Sequence, residues 1–313
     1  MIENGILNIN KPAGITSHGC VAKVRKLLGI KRVGHTGTLD PMAEGVLPVC
    51  FGNAVRIMEY LDMDLKKYKC EMRLGITTET QDIWGEVIEE NSDVDFTYEQ
   101  AKAAVESFKG LIQQTPPKYS ALKVAGKKLY EYARAGLDVE IKKREVFIED
   151  ILMTSADPAN LTISFEVTCS KGTYIRTICQ DIGEKLGTGG AMSRLIRLGS
   201  GAFVIEDAVP LDDLDDLTYG EIEKLIKPTD YPLVHFGRLE VKDKEIAECF
   251  INGRALGPDE VLKTAEPKFK ETYNVYAKTS SGRVFLGVAF YDEENETYKA
   301  DKVFFGRQSN EII

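Results

Sequence analysis

The order of apolar and polar residues predicts a chain of alternating strands and helices. Strands are expected over residues 5–10, 66–74, 85–90, 145–153 and 161–169, where many apolar side chains fall at every second position. Helices are expected over residues 17–28, 53–60, 97–108 and 171–187. Ser17 is the expected N-cap of the first helix, with Gly29 as its stop, and Thr97 opens a capping box with Gln100.

One stretch, residues 33–52, cannot form a single regular element. Its sequence is VGHTGTLDPMAEGVLPVCFG, with four glycines and two prolines, and both residue types interrupt regular structure. Asp40 directly precedes Pro41, which pushes its backbone towards extended angles. The apolar run 46–51 predicts a buried strand immediately afterwards. Asp40 is therefore a carboxylate on a shaped loop, either in a tight surface turn or in a catalytic loop on a rigid support.

The pattern changes near residue 235, and this change predicts two domains. Residues 1–230 carry the longer strands and helices. An acidic stretch, 206–224, and the prolines at 228 and 232 are the expected linker. Residues 235–313 show short β-like pieces with turn signals at Asn252-Gly253 and Ser281-Gly282, which favours a small β-domain.

Charge is distributed unevenly along the chain. The formal net charge is −9, yet residues 118–144 contain eight Lys or Arg against three Asp or Glu. Such a local cluster favours phosphate binding whatever the overall charge, although a solvated amphipathic helix gives the same pattern. No apolar stretch is long enough to span a membrane, and the N-terminus has no signal-peptide pattern, so no membrane partner and a cytoplasmic location are expected.

Cysteine and histidine spacing indicates no metal site. The six cysteines, at positions 20, 50, 70, 169, 179 and 249, include no Cys-x-x-Cys pair. The three histidines, at 18, 35 and 235, lie far apart in sequence. Because zinc sites require clustered ligands, no metal is expected, and the cysteines are expected to be small apolar core residues.

Five segments resemble the TruB family of bacterial tRNA pseudouridine-55 synthases. The segment GHTGTLDP resembles the family signature. Four further segments are similar to other family segments: KPAGITS before the signature, and LKKYKCEMRLGITTETQDIWG, GTYIRT and SGAFVIEDA after it. The resemblance implies that Asp40 is the nucleophile and that Tyr68 and Arg176 are its catalytic partners. It also implies that His35, Tyr174 and Leu195 contact the target nucleotide, and that Lys11 and Pro12 support the loop.

The same resemblance implies a fold and a reaction. It predicts an α/β (α+β) catalytic domain with a central mixed or antiparallel sheet, followed by a PUA-like RNA-binding β-barrel over 235–313. The implied reaction is isomerisation of uridine 55 in the T loop of tRNA after base flipping, without a cofactor, a metal or a guide RNA. An RNA-gripping insertion at about 110–145 would supply Lys118, Lys123, Lys127, Lys128 and Arg134. A monomer is expected.

Two other functions remain open on the sequence. An RNA-binding or tRNA-folding protein would need the basic segment but not the catalytic residues. A hydrolase such as a glycosidase would pair Asp40 with a second carboxylate, and Glu44 is the acid within the same loop.

Overall fold

The computed structural model describes residues 2–61, 65–268, 270–280 and 282–305. The helices are α1 Ser17–Leu28, α2 Tyr98–Glu106, α3 Leu129–Arg134, α4 Ile175–Leu186, α5 Tyr219–Leu225 and α6 Lys244–Ile251. The strands are β1 Gly5–Lys11, β2 Val33–His35, β3 Glu44–Phe51, β4 Lys66–Leu74, β5 Ile76–Thr78, β6 Val87–Glu90, β7 Gly110–Gln114, β8 Lys123–Val124, β9 Lys127–Lys128, β10 Arg144–Asp157, β11 Thr162–Cys169, β12 Gly190–Ser200, β13 Phe203–Val204, β14 Val209–Pro210, β15 Gly237–Val241, β16 Val261–Ala265, β17 Thr272–Thr279, β18 Gly282–Asp292 and β19 Thr297–Val303.

A large mixed sheet forms the first part of the molecule. Its main strand order is β14-β1-β3-β12-β4-β11-β10-β7, with β2 paired to β3 and β13 paired to β12. The pairs β1–β14 and β3–β12 are parallel, whereas β4 lies antiparallel between β11 and β12. The predicted mixed sheet is confirmed, and β4 occupies its centre.

At the centre of the sheet, the side chains of β4 alternate between a buried and a more exposed face. In β4, Tyr68, Cys70 and Met72 are buried, while the residues between them are more exposed. Helix α4 packs over this face with Ile178, Cys179 and Ile182, all fully buried. The Sγ atoms of Cys70 and Cys179 lie 3.5 Å apart as free thiols. This packing brings the start of α4 over the centre of the sheet.

The C-terminal part forms a second sheet with its own core. Its strand order is β16-β15-β17-β18-β19, and α6 packs Ala247 and Phe250 against it. The expected small β-domain is therefore present. The Asn252-Gly253 turn follows α6, with Gly253 at a positive φ of 88°. Of the other predicted turn, Ser281 lies outside the described residues, as do residues 306–313.

Several local predictions were wrong in detail. Thr16, not Ser17, caps α1 by accepting a hydrogen bond from the Gly19 N–H. The segment after β3 is a 3₁₀ helix, Gly52–Leu61, and the loop expected after β4 contains β5. The expected linker is packed onto the large sheet: it contributes β14, and Lys227 bridges to Ile6. None of the helices in the described part of the chain has the length and apolar character needed to cross a bilayer.

Candidate active site

Asp40 lies on the loop between β2 and β3, and a serine buried beneath the loop anchors it. The Ser17 hydroxyl accepts from the Leu39 N–H at 2.8 Å and donates to the Leu39 carbonyl at 3.0 Å. Ala43 N–H donates to the Asp40 carbonyl at 3.1 Å, which closes the turn over Pro41. The loop is thus held through its backbone, and the Asp40 side chain takes part in none of these hydrogen bonds.

Lys11 holds the same loop from below. Its side chain is fully buried, and its ammonium donates to the carbonyls of Pro12, Ile15 and Pro41 at 2.8, 2.7 and 3.0 Å. Burial lowers the pKa of this ammonium. Lys11 therefore joins the turn after β1 to the Asp40 loop, while Pro12 contributes through its carbonyl.

Arg176, in the first turn of α4, grips the Asp40 carboxylate with two nitrogens. Its Nε lies 2.9 Å from Oδ2 of Asp40 and its Nη2 lies 3.3 Å from Oδ1. The guanidinium also donates to the carbonyls of Thr80 and Tyr119 at 2.9 and 3.0 Å. Because this guanidinium is buried and held on several sides, it fixes the carboxylate in one orientation.

Two opposing effects set the charge of Asp40. Burial raises the pKa of its carboxyl, and the Arg176 guanidinium acts in the opposite direction. Asp82, whose Oδ2 lies 3.8 Å from Arg176 Nη1, adds a second negative charge that raises the Asp40 pKa further. The net effect raises the pKa of the Asp40 carboxyl above its ordinary value, and Arg176 is the bidentate partner that opposes this rise.

A cavity of about 290 Å³ opens beside this ion pair. Tyr68 of β4 and Leu195 and Arg197 of β12 form its floor, and Tyr68 lies directly opposite Arg197 across the two strands. The remaining walls come from the Asp40 loop, from residues 120–122 and from residues 170–176. The lining thus combines apolar and aromatic side chains with a few charged groups, as is common in sites for small molecules.

Tyr174 lines the cavity, and a buried glutamine fixes its backbone. Gln114, at the end of β7, accepts from the Tyr174 N–H at 2.8 Å and donates to its carbonyl at 3.0 Å. Tyr174 immediately precedes α4, so these two hydrogen bonds also position the helix turn that carries Arg176.

His35 lies on β2 and does not itself line the cavity, whereas the next residue, Thr36, does. Its ring packs edge-on against that of His18, with centroids 5.4 Å apart. Burial lowers the pKa of His35 to about 4, helped by the nearby charges of His18 and Arg197. His35 is therefore a neutral ring near physiological pH.

The basic segment forms a hairpin followed by a short helix. Lys123, Lys127 and Lys128 lie on the hairpin β8–β9, and α3 follows at once. Lys128 and Arg134 both stack over the Tyr130 ring, each with its charged group 5.4 Å from the centroid. Lys118 instead pairs with Asp138 at 3.0 Å.

Sequence reasoning missed four residues that build the site. Ser17 was assigned a capping role, and Asp82 was included in a family segment without a role of its own. Gln114 and Arg197 were not singled out, because a glutamine at a strand end and an arginine within a strand carry no local signal of function. Their contacts join segments far apart in the chain, so only the fold brings them to the site.

The glycosidase alternative finds no support in this geometry. Glu44 accepts from Arg194 Nε and Nη2, both at 3.1 Å, and does not line the cavity. Of the cavity's described lining residues, Asp40 is the one with a carboxylate. Two carboxylates flanking a glycosidic bond are therefore absent from these walls.

Taken together, fold and site place one anchored carboxylate beside a cavity of about 290 Å³ over a large mixed sheet. A family model described as TruB family pseudouridylate synthase, N-terminal domain, matches residues 25–175. A second, described as the tRNA pseudouridylate synthase B C-terminal domain, matches residues 176–234.

Curated relatives and a solved structure agree with these matches. The tRNA pseudouridine synthase B of Bacillus pumilus is 46% identical, covering 84% of this chain and 87% of the relative. That of Clostridium kluyveri is 43% identical over 96% of this chain and 99% of the relative. A Cbf5 complex with Nop10 and Gar1 superimposes with a TM-score of 0.73 at 25% identity, covering 97% of this chain and 85% of that one. The chain belongs to the TruB family of pseudouridylate synthases.

Proposed function

We propose that this enzyme isomerises uridine 55 in the T loop of tRNA to pseudouridine, with Asp40 as the nucleophile. The observation that carries the proposal is the Asp40 carboxylate held by Arg176 at 2.9 and 3.3 Å at the edge of the cavity. The curated relatives are named as tRNA pseudouridine synthases, which supports tRNA as the substrate. A tRNA substrate also fits a cytoplasmic enzyme.

The chemistry requires one bond to break and another to form at the same sugar carbon. The C1′–N1 bond of uridine breaks, the uracil rotates, and C5 joins C1′ in its place. An ionised Asp40 can carry the nucleotide covalently during this exchange. Tyr68 and Leu195 hold the uracil ring between them, and the Tyr68 side chain, ionised to the phenolate, accepts the proton that C5 loses.

The substrate uridine must leave its stack before it can enter the cavity. Flipping a base out costs a few kcal/mol, and RNA loops are recognised by their shape and by stacking. His35, a neutral ring outside the cavity, would occupy the vacated position. Tyr174, which lines the cavity, would then pack against the flipped nucleotide.

The basic hairpin and α3 serve to hold the folded stem. Lys123, Lys127, Lys128 and Arg134 would contact phosphates, with Tyr130 as a stacking surface. Lys118 belongs to the same surface, although its charge is partly balanced by Asp138. The second sheet would be a PUA-like domain that binds another part of the tRNA. Because the enzyme would contact the stem directly, it would need no guide RNA. We expect it to act as a monomer.

The test is to map pseudouridine in a T-arm hairpin after incubation with purified protein alone. The wild-type enzyme should convert one uridine, also in the presence of a chelator, because among the described residues no group of His, Cys, Asp and Glu has metal-site geometry. Asp40→Asn keeps the shape of the side chain but is a poor nucleophile. It should lose turnover by at least about a thousandfold, since covalent catalysis contributes on that order.

Measuring hairpin affinity distinguishes the role of Asp40 in catalysis from recognition of the RNA by the protein alone. Asp40→Asn should bind the hairpin within about threefold of the wild type, because the gripping surface is unchanged. Turnover of Asp40→Asn close to that of the wild type would refute Asp40 as nucleophile. Conversion only after addition of a second RNA would refute recognition by the protein alone.

A further inference from the structure

A buried arginine on the cavity floor has no assigned role. Arg197 is 1% exposed and is the largest fully buried side chain of the described residues. Its Nε donates to the Val46 carbonyl at 2.6 Å and its Nη2 to the Gly37 carbonyl at 3.1 Å. Among the residues that the structure describes, no carboxylate forms an ion pair with it. Burying a charge without an ion-pair partner costs free energy. The burial of Arg197 at this position therefore requires an explanation.

The first consequence of this placement concerns the Asp40 loop. Gly37 lies three residues before Asp40, and Val46 lies on the strand that follows the loop. One guanidinium therefore ties together the two ends of the segment that carries the nucleophile. The Gly37 Cα faces it closely, because an added Cβ would lie 3.6 Å from Arg197 Nη1.

The second consequence concerns Tyr68. Arg197 and Tyr68 are direct cross-strand neighbours on β12 and β4, so their side chains share one face of the sheet. Both line the cavity. The Arg197 charge and its hydrogen bonding lower the pKa of the Tyr68 phenol, in opposition to burial, which raises it.

The other charged groups around Tyr68 do not lower the pKa of its phenol in the way that Arg197 does. Cys169 on β11 and Asp40 on the loop both raise the pKa of the phenol. Lys66 on β4 and Arg176 on α4 also line the cavity, but Arg176 is already engaged by Asp40 at 2.9 Å. The cation that acts on the phenol most strongly is therefore Arg197.

We propose that Arg197 is a positioning residue that orients Tyr68 and stabilises its phenolate when C5 of the rotated uracil loses its proton. This inference rests on the proposed function. After C5 has joined C1′, the C5–H proton passes to the phenolate oxygen of Tyr68. The C5–H electron pair forms the C5=C6 bond, the C6=N1 pair moves to N1, and N1 takes a proton from water. The step needs no oxidant, reductant or co-reactant.

The experiment measures tritium release from a hairpin labelled at C5 of the target uridine, in single turnovers across a pH series. Arg197→Met removes the charge, whereas Arg197→Lys retains it. Arg194→Met is the matched control, because Arg194 lies on the same strand with its side chain 63% exposed and pairs with Glu44. Circular dichroism and hairpin affinity establish that each variant is folded.

Arg197→Met should release tritium at least about tenfold more slowly at neutral pH, because one pKa unit changes the ionised fraction of a base tenfold. The rising limb of its pH–rate profile should move to higher pH by about one unit or more. Arg197→Lys should restore much of the wild-type profile, and Arg194→Met should match the wild type. Equal pH profiles for the wild type and Arg197→Met, with the wild type active, would overturn the proposal.

A double-mutant cycle tests whether Arg197 acts through Tyr68. In a Tyr68→Phe background, Arg197→Met should slow the reaction by less than about threefold, because the group it acts on is already gone. Full additivity of the two losses would contradict the proposal.

A last variant covers the case in which Arg197→Met does not fold. Replacing Tyr68 with 3-fluorotyrosine makes the phenol more acidic while leaving Arg197 in place. The rising limb should then move to lower pH, and an unchanged profile would overturn the proposal. If the wild type itself makes no pseudouridine, the proposed function fails instead, so the two failures are distinguishable.

Discussion

At the scale of single residues, the site is built from buried cations held by backbone carbonyls. Lys11, Arg176 and Arg197 each donate to at least two carbonyls at 2.6–3.1 Å. Because each such bond fixes a side chain against the backbone, the charges are in place before substrate arrives. Of these three, Arg176 is the one that also pairs with carboxylates, Asp40 at 2.9 Å and Asp82 at 3.8 Å.

The low pKa of His35 predicts a pH effect on stability. In the unfolded chain a histidine titrates near 6.5, but in the folded protein His35 titrates at about 4. Between these values the unfolded state binds more protons, so stability falls as the pH drops from about 6.5 to about 4. The loss has an upper limit of about 3 kcal/mol, reduced by partial solvent exposure.

His35→Asn should remove this contribution. Urea unfolding at neutral pH and near pH 4.5 gives the change in free energy of unfolding for each protein. The wild type should lose more stability between the two conditions than His35→Asn does, by about 1–2 kcal/mol. Equal losses would show that His35 has an ordinary pKa in the folded protein.

At the scale of elements, the basic hairpin owes its shape to its turn. Ala125 and Gly126 have φ angles of 48° and 86°, as in the type I′ turns that suit two-residue hairpins. The turn brings Lys127 back alongside Val124 and leaves Lys123 and Lys127 exposed. These charges are therefore available to an RNA backbone.

Replacing Lys127 and Lys128 with glutamine should raise KM for the hairpin and flatten its dependence on salt. Each lost phosphate contact lowers the slope of log K against log salt by about 0.7–0.9. Steady-state kinetics over a salt series measures both quantities. Lys118→Gln is the comparison and should change KM less, because Asp138 already compensates Lys118 at 3.0 Å. An unchanged salt slope in the double variant would remove this surface from the RNA contact.

At the scale of the whole molecule, the two sheets share an apolar interface. One apolar cluster contains Phe304 and Val288 of the C-terminal part together with Ile57 and Leu61 of the 3₁₀ helix. Arg56 lies over the Phe304 ring at 5.2 Å and donates to the Val303 carbonyl at 2.7 Å. The second sheet thus covers apolar surface of the catalytic part and supports its fold.

Phe304→Ala should destabilise the protein by about 3 kcal/mol, the cost of removing a large buried ring. Single-turnover rates at saturating hairpin should stay within about twofold, because Phe304 lines no part of the cavity. Phe290→Ala is the control: its side chain is 41% exposed on the same sheet, so it should cost less than about 1 kcal/mol. Urea unfolding measures the free energy of unfolding of both variants. A loss for Phe304→Ala no greater than that for Phe290→Ala would contradict an apolar interface between the two sheets.

The sequence by itself determined the family, the mixed sheet and the small C-terminal β-domain, and these predictions are confirmed. It could do so because strand alternation, capping residues and family segments are local patterns. The strand Lys66–Leu74 matches its prediction at both ends. The roles of Asp40, Tyr68 and Arg176 stay predictions, although the fold brings all three to one cavity.

Only the tertiary structure decided how the site is held. Ser17 caps no helix because its hydroxyl serves the Asp40 loop, and Arg197 faces Tyr68 through a strand pairing that spans more than a hundred residues of sequence. Gln114 and Asp82 likewise act through partners distant in the chain, Tyr174 and Arg176. Cross-strand register and helix packing set these contacts, and neither leaves a pattern in the local sequence.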